Sequence, residues 1–170
     1  MLGDDAEAEG TQHVVNQIWL ERLPSDQRDM IGHLVIVDHP QGQIGAAGRS
    51  SQWRHMVEVF MWKLDGHRLG LFFPQDKQRA KVRVKTYDCE GDAPEPFEIC
   101  MDIEAGDRKV TYYSRREWEI EPRNVADSLE DFAQTYPNVA RAIATELDGA
   151  PVVTDLDPSD WSETAALPWK

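Results

Sequence analysis

The stretch DKQRAKVRVKTYD, residues 76–88, alternates with the two-residue period of a β-strand. Ala80, Val82, Val84 and Thr86 fall on one side, and Arg79, Lys81, Arg83 and Lys85 on the other. From Lys77 to Lys85 every second residue is basic, in a chain whose formal net charge is -13. The alternation predicts a strand near Arg79–Tyr87 with one face buried. It also asks what neutralises the other face.

The next segment, FEICMDIE, sets Phe97, Ile99, Met101 and Ile103 against Glu98, Cys100, Asp102 and Glu104, so its polar face is acidic. After a tight turn at Ala105-Gly106-Asp107, KVTYYSRREWEI places Lys109, Thr111, Tyr113 and Arg115 opposite Val110 and Tyr112, with Trp118 and Ile120 continuing the buried set. Three such strands in an antiparallel meander present basic, acidic and basic outer faces. Opposite charges facing each other across strands contribute roughly 0.2–1 kcal/mol per pair, whereas like charges destabilise. Complementary ladders on a solvated face are the plain reading of the basic strip, and a site for an anionic ligand is the competing one.

Upstream, EVFMWKLDGHRLGLFF places two aromatic-rich runs around Asp65-Gly66, a dipeptide suited to the positive φ angles of a hairpin turn. Strands are predicted at Met56–Leu64 and Arg68–Phe73, the second stopped by Pro74, which cannot donate to a ladder. In the first fifty residues HVVNQIWLERL fits a strand or a short helix, and VVNQIWL favours β by its branched and aromatic content. SDQRDMIGH, with Ser25 as a cap, reads as a helical turn or two, LVIVDHP as a buried strand, and QGQIGAAGRSS as a flexible loop.

Beyond Arg123 the period changes. Asn124 can cap a helix, and Val125, Leu129, Phe132 and Tyr136 line one face. Pro137 suits the first turn of a second helix carrying Val139, Ile143 and Leu147. Two amphipathic helices, or one kinked at Pro137, are expected to cover an open edge or face of the sheet. The fold class is α+β: a mostly antiparallel, strongly curved sheet of six to seven strands, or a small β-barrel, with a C-terminal helical segment packed on it.

The expected organisation is an acidic flexible N-terminus at 1–12, a single domain at 13–148 and an acidic tail with proline and tryptophan at 149–170. Four acids lie in residues 1–10 and six in 146–163, with no Lys or Arg in either stretch, so -13 becomes -3 once those ten are set aside. A nearly balanced body argues against general nucleic-acid binding, which draws on net neutralisation of phosphates. MLGDDAEAEG lacks the basic and apolar regions of a secretory signal, and no apolar run approaches the 18 or so residues of a membrane span. A soluble, cytoplasmic protein is expected. Cys89 and Cys100, without companions, are expected to be reduced thiols.

No catalytic residue, metal site or cofactor is indicated. The five histidines show no metal-ligand spacing, no serine lies in GxSxG, and the glycines of GQIGAAGRSS lack the ending of a phosphate-binding loop. A ligand pocket, if the sheet closes around one, would draw on Arg54, His55, Glu58, Trp62 and Tyr112. Glu58 stands out, because alternation puts it with Met56, Phe60 and Trp62; an acid on a buried face has a raised pKa and calls for a partner such as an arginine. A protein partner would meet the basic strip, Arg79, Lys81, Arg83 and Lys85, and the tail residues Trp161, Leu167 and Trp169, aromatic anchors among acids. The expected function is a non-enzymatic binding or assembly module acting through protein–protein contacts; the alternative is a small-molecule-binding β-barrel, an enzyme or not, with its pocket near Glu58 and Trp62.

Overall fold

The computed structural model describes residues 10–40, 42–51, 53–148 and 156–164. Eight antiparallel strands follow one another around a closed barrel: β1 (Gln17–Leu20), β2 (Ile31–His39), β3 (Gly42–Ser50), β4 (His55–Asp65), β5 (Arg68–Phe73), β6 (Gln78–Asp88), β7 (Ile99–Ala105) and β8 (Arg108–Ser114). The closed form is the barrel expected from the sequence, with eight strands in place of six or seven. A 3₁₀ turn at Arg116–Trp118 leads to three helices, α1 (Val125–Ser128), α2 (Glu130–Thr135) and α3 (Pro137–Asp148).

The additional strand is β3, which sequence reading assigned to a flexible loop. Its glycines are there for close approach. A Cβ on Gly45 would stand 2.4 Å from the Phe60 ring, and one on Gly48 only 1.9 Å from the Met56 carbonyl oxygen. Glycine inside a strand marks such contacts, and the composition that looks loop-like is what lets β2, β3 and β4 stay together. The segment around Ser25 is likewise not helical: Asp29 accepts hydrogen bonds from the Ser25 backbone N–H and hydroxyl and pairs with Arg22, so the connection is a clamped turn.

Side chains sort into two apolar layers. The inner one takes Trp19, Leu34, Ile36, Phe60, Trp62, Leu71, Phe73, Val82, Met101, Ile103 and Tyr112, among others, from all the strands. The outer one lies between β1–β3 and the helices, where Ile18, Leu20, Val35 and Val37 meet Phe132, Val139, Ile143 and Leu147. Strand β2 is buried on both faces, which explains the unbroken run LVIV in place of alternation. Strand β6 is buried on one face and alternates through most of its length. Trp118 and Ile120, expected to continue the strand set, belong to the outer layer instead, where Trp118 meets Phe132 edge-on at 5.1 Å between ring centroids.

The barrel closes by a short seam. Leu20 pairs with Tyr113, the Ser114 hydroxyl donates to the Ile18 carbonyl at 2.5 Å, and the Gln17 amide donates to Ser114 Oγ at 2.8 Å. Gln17 and Ser114 are both buried, and they satisfy each other where little backbone pairing is available. One end of the barrel is covered by the segment before β1: the Thr86 N–H and hydroxyl both donate to the Gly10 carbonyl, and Val14 joins the inner layer.

Cys89 and Cys100 form a disulfide with Cα atoms 5.9 Å apart, correcting the expectation of reduced thiols. They are eleven positions apart in sequence, yet the hairpin from β6 to β7 brings them side by side, and neither is more than 5% exposed. Two cysteines with no distinctive spacing carried no signal of this.

Candidate functional site

The basic face of β6 finds its partners in two halves. Strand β7 pairs with β6 from Arg83↔Glu104 to Asp88↔Ile99, and not with residues 78–82. Along the paired half the anticipated ladder exists: Arg83 forms an ion pair with Glu104 at 3.0 Å, and Lys85 stands in register with Asp102. Asp102 also accepts hydrogen bonds from the Tyr87 hydroxyl at 3.0 Å and Thr111 at 2.8 Å. Burial, and after it this bond to Asp102, pushes the Tyr87 phenol up to about 12.

Along the other half, where β7 is absent, the acidic C-terminal segment supplies the complement. The Thr164 N–H donates to the Lys81 carbonyl at 2.9 Å, and the Lys81 N–H donates to the Thr164 hydroxyl at 2.8 Å. These bonds occupy the edge of β6 as an added strand would. Lys81 Nζ reaches the carbonyls of Ser159 and Trp161, each at 3.3 Å. The Arg79 guanidinium lies 5.3 Å from the centroid of the Trp161 ring, a cation–π distance, and Arg68 pairs with Glu163 at 3.4 Å.

Gly70 makes the seat possible. A Cβ there would stand 2.5 Å from Cβ and Cγ of Pro158, which is buried. The bound segment also organises itself: Trp161 N–H donates to the Pro158 carbonyl at 3.0 Å, and Ser159 N–H to the Asp157 carboxylate at 3.1 Å. The two hydrogen bonds from Ser159, and after them the nearby Lys63 and Lys81, hold the Asp157 carboxyl below its ordinary pKa. This turn sets proline and tryptophan toward the barrel together.

Arg79, Lys81 and Trp161 thus meet in one clasp, while Arg83 and Lys85 lie along the adjoining ladder. Leu167 and Trp169 fall outside the described residues. The role of Gly70 escaped sequence reading, because a glycine inside a strand reads as weakness unless the proline it admits is known.

The residues expected around a ligand pocket are not gathered. Glu58 does lie on the inner face, in register with Ala47 and through it with Leu34 and Trp19, and burial followed by the charge of Asp76 raises its pKa. Among the described residues no arginine forms an ion pair with it, and Arg49 of β3 pairs instead with Glu21 at 3.2 Å across Gly32. Trp62 donates from Nε1 to the carbonyls of Val37 and Ile44, and Trp62 and Tyr112 are buried in the inner layer. His55 lies on the outer face opposite Ser50, and exposed Arg54 sits in the turn before it. Among the described residues no group of histidines, cysteines and carboxylates is arranged to hold a metal ion. No helix among them is long and apolar enough to cross a membrane.

A hollow of about 370 Å³ lies between the barrel wall at Ile31 and Ser50 and the junction of α2 and α3 at Tyr136 and Pro137. At its floor Ser50 Oγ is 2.9 Å from Nε2 of the fully buried His33, whose Nδ1 has no partner among the described residues. Burial, with a smaller contribution from His55, lowers the His33 pKa to about 4, so the ring is neutral at ordinary pH. Comparison with protein-family models, curated proteins and solved structures finds no match to this chain.

Proposed function

We propose that this chain is a non-enzymatic protein-binding module, in which the barrel is a rigid frame and the working surfaces are the basic outer strip of β6 and the acidic C-terminal segment. One observation carries the reading: the strip and the neighbouring Gly70 already hold a segment of polypeptide, through an aromatic anchor, a fitted proline and a strand edge. Those are the means by which sheet edges recognise extended peptides. The charges also suit a protein partner better than nucleic acid, because Arg83 and Arg68 are paired with carboxylates and Lys81 with carbonyls. A small-molecule barrel has less behind it, since Trp62 and Tyr112, which would wall its pocket, are packed into the inner layer.

The disulfide bears on where such a module works. Structural disulfides persist in oxidising compartments and are rare in the cytosol, so the closed Cys89–Cys100 bond weighs against the cytoplasmic location expected from composition.

Affinity capture with cross-linking tests the function, using the full chain and an Arg79→Glu, Lys81→Glu variant as paired baits with partners identified by mass spectrometry. A protein retained by the first and lost by the second is the expected result. Identical partner sets from both baits overturn the reading.

A further inference from the structure

Resting on that reading, we propose that the groove between Gly70 and residues 79–81 is a recognition site for a linear segment of order Asp-Pro-x-x-Trp-x-Glu-Thr carried by a partner protein. Residues 156–164 of this chain are its resident competitor.

Each position in the order has a reader. Pro158 occupies the space left by the missing Gly70 side chain. Trp161, three residues on, lies under the Arg79 guanidinium, and the turn closed by its own N–H onto the Pro158 carbonyl fixes that spacing. Asp157 holds the start of the turn through the Ser159 N–H. Glu163 meets Arg68, and Thr164 makes two hydrogen bonds with the Lys81 backbone on the side where β7 does not run. Asp160 and Ser162 are exposed, which leaves those side chains free to vary, whereas Ser159 meets Lys81 through its main-chain carbonyl and turns its side chain to Asp157 within the segment.

The affinity is built from pieces that do not depend on the segment being covalently attached. A strand edge, a glycine notch and a cation over an indole are as open to another chain as to this one. Attachment through the short stretch after α3 gives the resident segment an effective concentration in the millimolar range, so a partner must bind better or meet the site when the strap is lifted. Gly70 is the specific handle: the three atoms nearest to a Cβ there belong to Pro158 and Trp161, the third at 3.6 Å, so alanine fills the notch against the strap before it meets the barrel wall.

The test uses fluorescein-labelled LDPSDWSET and fluorescence anisotropy. The full-length chain carrying Pro158→Ala and Trp161→Ala, which loosens the resident strap, should bind the peptide saturably and roughly tenfold or more tightly than the unaltered chain, whose groove is filled. Adding Gly70→Ala to the loosened chain should abolish binding, and a scrambled peptide should not bind. Absence of binding to the loosened chain, with its far-UV circular dichroism unchanged, overturns the proposal, as does equal binding with Gly70→Ala present. The outcome is separate from the capture experiment: a partner lost on reversing Arg79 and Lys81, together with a peptide that does not bind, leaves the module standing and removes the motif.

Discussion

Gly48 lies where β3 crosses so close to β4 that an alanine methyl would overlap the Met56 carbonyl. Gly48→Ala should therefore destabilise the barrel by about 1–3 kcal/mol or more, the range for overpacking, read from a shift of the urea midpoint at unchanged slope. His33 gives a prediction in pH. Its folded pKa of about 4 lies below the unfolded value of 6.5, so between those limits the unfolded chain binds a proton that the folded chain refuses. Stability is full above pH 6.5 and falls as pH drops toward 4, by at most about 3 kcal/mol at 1.36 kcal/mol per unit. His33→Gln should flatten that part of a melting-temperature profile, and an unchanged slope contradicts the assignment. At this scale the inward face of Glu58 was legible from alternation alone. That Arg49 is engaged elsewhere was not, because the Glu21–Arg49 pair depends on Gly32 being small enough to lie beneath it, which no local pattern announces.

Strand β6 shows what alternation can and cannot say about an element. Its buried face and the Arg83–Glu104 pairing follow from period and charge order. Arg83→Glu should cost around 1 kcal/mol in chemical denaturation, discounted because both partners are about half exposed. The restoring swap Glu104→Arg should return part of that loss. What alternation could not say is that β7 stops short, leaving residues 78–82 to another partner far along the chain. The loop-like glycines of β3 and the doubly buried β2 were harder to read for a related reason. Each departs from simple amphipathic patterning because a neighbour, β4 for the one and the helices for the other, takes the place that water has in the rule. At the β6–β7 connection, replacing both Cys89 and Cys100 with serine should cost about 2–3 kcal/mol, the usual yield of closing a loop of this size. A reductant should lower the melting temperature of the parent chain and leave the double variant unmoved.

Taken as a whole, the molecule joins a barrel packed on the inside, a helical cover on one flank and an acidic strap on another. The covering helices were legible as two amphipathic runs around Pro137, because their apolar spacing is local. The strap was legible only as a tail with tryptophans that could fold back or reach out; its docking depends on a glycine and a strand edge more than seventy residues away. Removing residues 149–170 should lower the melting temperature by several degrees, since buried Pro158 and the Trp161 contact are lost with it, whereas a tail without contacts would leave it unmoved. Amide hydrogen exchange in the full-length chain puts the two-part partnering of β6 to the most direct test. The account predicts slow exchange at Lys81 and Thr164, with Lys81 exchanging faster in Trp161→Ala while Leu71 and Phe73 keep their protection. Equal exchange at Lys81 in the two proteins contradicts it.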